Sequence, residues 1–154
     1  MIYEGDFSFP AGRFVLVAAR FNGFVVEQLV AGATDALHRH GVADDRIDLV
    51  RVPGSYEIPL VAQKLGKSGK YAAVICLGCV IRGDTDHYEY VCAETARGIQ
   101  DVQLRTGVPC AFGVLTVENM DQALARTGGG KRDQGEHAAQ AVLALSGLKR
   151  DLGV

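Results

Sequence analysis

The sequence predicts an α/β protein, a three-layer αβα sandwich around four parallel central strands. Two observations carry that expectation. Apolar runs alternate with amphipathic stretches along most of the chain, the strand–helix–strand pattern of a parallel sheet covered on both faces. The third run, "YAAVICLGCVI" (71–81), is apolar almost throughout, as a central parallel strand should be. The chain has 154 residues, the size of one domain (1–154), and 48% of them are hydrophobic, enough for a real core.

The elements follow in order. "IYEGDFSF" (2–9) alternates weakly and is expected to be an edge strand within an N-terminal segment, 1–12. "RFVLVAARF" (13–21) reads as the first central strand. "VVEQLVAGATDALHRHG" (25–41) reads as a helix, with Val25, Leu29, Ala33, Ala36 and Leu37 on one face, Asn22 as N-cap and Gly41 at its end. "DRIDLVRV" (45–52) is a second strand. "SYEIPLVAQKLGKSG" (55–69) is a second helix, with Pro59 in the first turn, where a missing N–H costs little. After the third strand comes a long helix, 85–106, on which Tyr88, Val91, Cys92, Thr95, Ile99 and Val102 recur at helical spacing; Gly107 and Pro109 close it. "PCAFGVLTV" (109–117) is the fourth strand and "NMDQALART" (119–127) a short helix. "GGG" (128–130) is a hinge before the last helix, "EHAAQAVLALSGLKR" (136–150). Right-handed crossovers then give a flavodoxin-like sandwich.

Composition excludes several classes. Formal net charge is −2, and the basic clusters (Lys131-Arg132, Lys149-Arg150) are too short to form the stripe a nucleic-acid binder needs. No apolar run approaches the roughly 20 residues of a membrane span. Glu4 and Asp6 interrupt the N-terminus where a signal peptide would be apolar, so a cytoplasmic, soluble protein is expected. "CLGC" (76–79) has no second ligand pair for zinc, and strand residues three apart point to opposite faces. Cys76 and Cys79 therefore read as buried, reduced thiols.

In a parallel sheet the ligand sits at the carboxyl ends of the strands. That rule selects "RFNG" (20–23), "PGSYE" (53–57), "RGDTDH" (82–87) and "TVEN" (116–119). Gly83 permits a sharp turn, Asp84 or Thr85 caps the long helix, and the free N–H groups and dipole of that helix suit a phosphate. Equally, Asp84 and Asp86 can satisfy those amides themselves. His87 suits general acid/base work, with an imidazole pKa of about 6.5, or is a partly exposed helix histidine. Phe21 offers a flat face to a heteroaromatic ring or covers the strand edge. Glu57 complements a helix dipole or accepts from sugar-like hydroxyls, and Gly54 and Ser55 let backbone amides reach a ligand. There is no Walker loop, dinucleotide fingerprint or nucleophile elbow.

Together, "ARFN" (19–22), "VRVPGSYEIP" (50–59), "GCVIRGDTDHYEYV" (78–91) and "FGVLTVENMDQALAR" (112–126) resemble the 6,7-dimethyl-8-ribityllumazine synthase family, in order and with family-like spacing over roughly residues 13 to 148. The resemblance implies condensation of 5-amino-6-(D-ribitylamino)uracil with 3,4-dihydroxy-2-butanone 4-phosphate, giving the lumazine precursor of riboflavin with release of phosphate and water, and needing no metal or redox cofactor. It implies that Phe21 stacks on the pyrimidine, that Ser55, Tyr56 and Glu57 bind the ribityl chain and ring, and that Val80 and Ile81 give backbone contacts to the uracil. Gly83, Asp84 and Thr85 match the phosphate turn, and His87 the acid/base. Arg126 matches a phosphate-binding arginine and Phe112 an aromatic wall, both supplied by a neighbouring subunit.

Three positions depart from the family pattern. Asp86 stands where proline is usual before the histidine. Gln134 and His137 stand where a lysine and an acidic residue commonly follow the hinge, although Glu136 is one residue away. The resemblance implies a pentamer with active sites at subunit interfaces, with the N-terminal segment pairing with a neighbour's sheet edge. The short hinge 126–135 leans toward an icosahedral shell of twelve pentamers, for which riboflavin synthase is a candidate partner. The alternative is a non-catalytic flavin- or lumazine-binding shell of the same fold.

Overall fold

Four parallel strands, β1 (Phe14–Ala19), β2 (Ile47–Val52), β3 (Ala73–Ile81) and β4 (Cys110–Val117), form one sheet in the order β2-β1-β3-β4. They are seen in a computed structural model describing residues 1–8, 11–128 and 132–154. The helices are α1 (Gly23–Arg39), α2 (Ile58–Lys67), α3 (His87–Thr106), α4 (Met120–Leu124) and α5 (Gln134–Leu152). The three-layer α/β sandwich is the one the alternating pattern predicts.

Strand alternation builds two cores. Phe14, Leu16 and Ala18 of β1 face α1 and α5, together with Ile75, Leu77 and Cys79 of β3. Val15, Val17 and Ala19 face α2 and α3, together with Val74 and Cys76. Cys76 and Cys79 thus lie in opposite cores, as their spacing requires. The thiol nearest Cys76 is Cys110, 3.6 Å away between sulfurs, and all four cysteines are free.

The predicted face of α1 is buried in full. In α5, Gly135 packs on the backbone of α1: an added Cβ would meet the Leu29 carbonyl and lie 3.1 Å from Ala33 N. On α3 the expected stripe divides. Thr95, Ile99 and Val102 are buried, while Tyr88, Val91 and Cys92 are half-buried, because that end of the helix overhangs the rim of the sheet instead of its face.

Several boundaries differ from expectation. Residues 44–46 coil into a 3₁₀ turn, so β2 begins at Ile47; Ser55–Glu57 form another before α2. The last helix begins at Gln134, two residues early, because the Asp133 side chain caps it by accepting from Glu136 N–H at 3.1 Å. Residues 1–8 form no strand within the chain. They run across α5, with Gly5 against the Ala144 carbonyl, Arg150 Nη1 donating to Ser8 O, and Phe7 against the His40 ring. Phe9, the end of the expected edge strand, and 129–130 of the hinge lie outside the described residues. No helix among the described residues is long and apolar enough to cross a membrane.

Candidate active site

Three strand ends supply the site. At the end of β1, Arg20 N–H donates to Val52 O (2.7 Å) and Phe21 N–H to Pro53 O (3.0 Å), carrying the β1–β2 ladder past the strand. The backbone of Phe21 is pinned while its ring stays 72% exposed. Asn22 then turns left-handed, at φ 58° and ψ 40°, the one non-glycine among the described residues to do so. It stands at the predicted cap position, but its side chain caps nothing. Nδ2 donates instead to Cys79 O (2.7 Å), bridging the start of α1 to β3.

At the end of β2 the 3₁₀ turn folds Ser55 inward, to 7% exposure, and leaves Tyr56 60% exposed at the rim. Gly78 of β3 makes room for it: a Cβ there would stand 2.5 Å from Ser55 Oγ. Glu57 is exposed at the start of α2.

At the end of β3, Val80 and Ile81 are half-buried and residues 82–87 are exposed. The cap residue of α3 is Asp86, not Asp84 or Thr85, and it makes no side-chain cap bond. The side chain that does reach those amides is Thr85, whose Oγ1 accepts from His87 N–H at 3.3 Å. Asp84 and Asp86 do not satisfy them. His87 is the first residue of α3, closer to the helix start than the sequence implied.

These loops enclose one cleft of about 750 Å³, within the size range of small-molecule sites. Phe21, Ser55, Tyr56 and Glu57 line one side, and Val80, Ile81, Gly83, Thr85 and His87 the other. Asp84 belongs to the same turn without lining the cleft. Tyr88, Tyr90 and Val91 add an apolar wall that was not singled out from the sequence; their position just past His87 was the available signal. Burial pushes the Cys79 thiol up to about 11 and, foremost among several causes, raises the Tyr88 hydroxyl. Neither group is therefore poised for proton transfer near neutrality; His87 and Glu57 are the other ionisable side chains of this lining besides the tyrosines.

Two selected residues lie elsewhere. Phe112, 40% exposed on β4, lines a second recess of about 590 Å³ between α3 and α5, with Gln134 and His137. Arg126 follows α4, half-buried, and its Nη1 donates to Gln122 O at 2.8 Å. Neither lines the first cleft. Among the described residues no three His, Cys, Asp or Glu side chains gather as a metal site would require.

A family model for 6,7-dimethyl-8-ribityllumazine synthase matches residues 11–150. The chain belongs to that family. The match spans every strand and helix that builds the cleft. As a lumazine synthase family member the protein is a transferase of riboflavin biosynthesis acting on small molecules, and its parallel sheet is the flavodoxin-like scaffold of the family.

Proposed function

We propose that the protein condenses 5-amino-6-(D-ribitylamino)uracil with 3,4-dihydroxy-2-butanone 4-phosphate to 6,7-dimethyl-8-ribityllumazine, releasing phosphate and water. The observation that carries this reading is the convergence of Phe21, Ser55–Glu57, Val80–Ile81, Gly83, Thr85 and His87 on one cleft at three strand ends. In it, the pyrimidine stacks on Phe21, its edge meets the backbone of Val80 and Ile81, and the ribityl hydroxyls bond to Ser55 and Glu57. The phosphate sits at the Gly83–Thr85 turn, where the first α3 amides and the helix dipole favour an anion. The amine attacks the ketone and loses water to give the imine. Phosphate is then eliminated, and the ribitylamino nitrogen closes the ring on the remaining carbonyl with loss of a second water, His87 moving the protons. Holding both substrates side by side removes much of the entropic barrier.

The cleft so described lacks a cation for the phosphate. A neighbouring copy supplying Arg126 and Phe112 meets that need, since both lie outside the protomer's own cleft. A guanidinium binds phosphate bidentately and offsets Asp84 and Asp86. This reading makes the protein a pentamer, with the short hinge favouring the icosahedral shell and the N-terminal segment reaching a neighbour's sheet edge. Riboflavin synthase remains the candidate for an enclosed partner.

Mixing purified protein with both substrates and following lumazine absorbance tests the reading. His87→Ala should slow turnover by ~100-fold or more with assembly intact. Wild-type protein that binds lumazine without forming it would instead identify the non-catalytic shell, a reading favoured by Gln134 and His137 beside Phe112 at the second recess.

A further inference from the structure

Arg82 lies just past β3, outside the cleft lining, and its side chain reaches two other elements. Its backbone N–H continues the sheet ladder to Val117 O at 2.9 Å. Its Nε donates to Glu118 Oε2 beyond β4, and its Nη1 to Glu89 Oε1 on α3, both at 2.8 Å. The guanidinium carbon sits 4.3 Å from the centre of the Tyr88 ring. Tyr88 and Glu89 are the two residues that follow His87. The turn before them is thinly held. Its side chains make one hydrogen bond, Thr85 Oγ1 accepting from His87 N–H, and a Cβ at Gly83 would meet nothing within 4 Å. The guanidinium fork therefore ties the first turn of α3 to the sheet, beside the bond between the Tyr88 hydroxyl and Thr116 of β4.

We propose that Arg82 is a positioning residue for His87. Divided between Glu118 and Glu89 and laid against Tyr88, it clamps the first turn of α3 to the ends of β3 and β4, and so sets where the imidazole stands relative to the other walls of the cleft. The task needs arginine: a planar fork serves two carboxylates and lies on a ring at once, whereas an ammonium acts as a point charge. The ion pairs are exposed, with 38% of the Arg82 side chain accessible, so they add little to global stability. Their loss should displace the histidine without unfolding the protein. The inference rests on the proposed condensation.

The test compares wild type, Arg82→Lys, Arg82→Met and the double variant Glu89→Gln/Glu118→Gln, all as the full chain. Wild-type turnover with both substrates tests the condensation itself, and ratios to wild type test Arg82. Arg82→Met should lower kcat on the order of 10-fold or more, by misplacement of a reacting group, and shift the pH–rate limb due to His87. Pyrimidine affinity should stay within about 2-fold and the melting temperature nearly unchanged. Arg82→Lys should fall between the two. The double variant keeps the cation but unhooks it, and should reproduce the loss in kcat. Wild-type kcat in Arg82→Met overturns the proposal. So does wild-type kcat in the double variant when Arg82→Met is slow, because Arg82 would then act directly and not through its anchors. A joint fall in kcat, pyrimidine affinity and melting temperature also overturns it. If wild type makes no lumazine, the pH titration of the His87 imidazole resonance by NMR, identified by its loss in His87→Ala, still decides: a curve unchanged by Arg82→Met ends the proposal.

Discussion

Replacing Gly78 with alanine probes how the floor of the cleft is set. The new methyl would stand 2.5 Å from Ser55 Oγ, 3.4 Å from Ile58 Cδ1 and 3.6 Å from Ala19 Cβ. The last two are ordinary contacts, so the hydroxyl alone must yield, by about 1 Å to reach normal separation. Ser55 is buried beneath the turn and lines the cleft, so the turn moves with it or the hydroxyl rotates. Overpacking of this kind costs about 1–3 kcal/mol, a fall in Tm of roughly 2–12 °C for a chain of this size. A displaced hydroxyl would also lose the proposed bond to the ribityl chain, weakening pyrimidine binding about 2- to 10-fold. Ser55→Ala removes the group that is struck, so Gly78→Ala/Ser55→Ala should melt close to Ser55→Ala alone. Calorimetric melts and pyrimidine titrations on the four proteins complete the cycle. Losses that add to within about 0.5 kcal/mol would show that the two groups do not meet, and would refute the reasoning.

Gly135→Ala drives a methyl into the α1 backbone at Leu29, which cannot rotate aside. A loss of about 3 kcal/mol and a Tm at least roughly 6 °C lower are expected, and an unchanged melt would contradict the close helix contact. At Asp48 the Tyr71 hydroxyl, followed by Arg13, holds the carboxyl below its ordinary value. Its stabilisation is therefore present above about pH 4 and is lost as the pH falls through the lower folded-state value. Asp48→Asn should cost no more than about 1 kcal/mol at neutral pH, because solvent screens the pair, and the difference from wild type should vanish in acid. A deficit undiminished in strong acid would show that the charge is irrelevant. Arg126→Ala should raise the KM for the butanone phosphate more than that for the pyrimidine; equal rises would remove Arg126 from the phosphate.

What the sequence discloses follows range. The apolar face of α1 and the long run of β3 are local periodicities, and both elements form as their patterns predict. The cleft residues were legible for a topological reason. Parallel strands place all their carboxyl ends on one rim, so Phe21, Ser55–Glu57 and His87 come together though far apart in the chain, while residues 116–119, selected by the same rule, do not line the cleft. Contacts that join distant positions left no local trace. The amide of Asn22 on Cys79 O, the room Gly78 leaves for Ser55, and the two carboxylates shared by Arg82 belong to this kind. The cap of α3 was misplaced because Asp84, Thr85 and Asp86 are all acceptable cap residues, and the geometry of the turn chooses between them. For Phe112 and Arg126 the residues alone gave no pointer, since neither enters the cleft of its own protomer.

The bridge from Asn22 to the Cys79 carbonyl yokes two walls of the cleft that sequence separates by 57 residues. A backbone shift at Phe21 and Asn22 would therefore tug the strand that carries Val80 and Ile81. In the proposed binding mode, a bulkier heterocycle that displaces that backbone would disturb the hydrogen-bonding edge on the other side. Retuning ring size would therefore call for paired changes at both ends of that tether, and single substitutions at residue 21 should yield weaker binders more readily than new specificities.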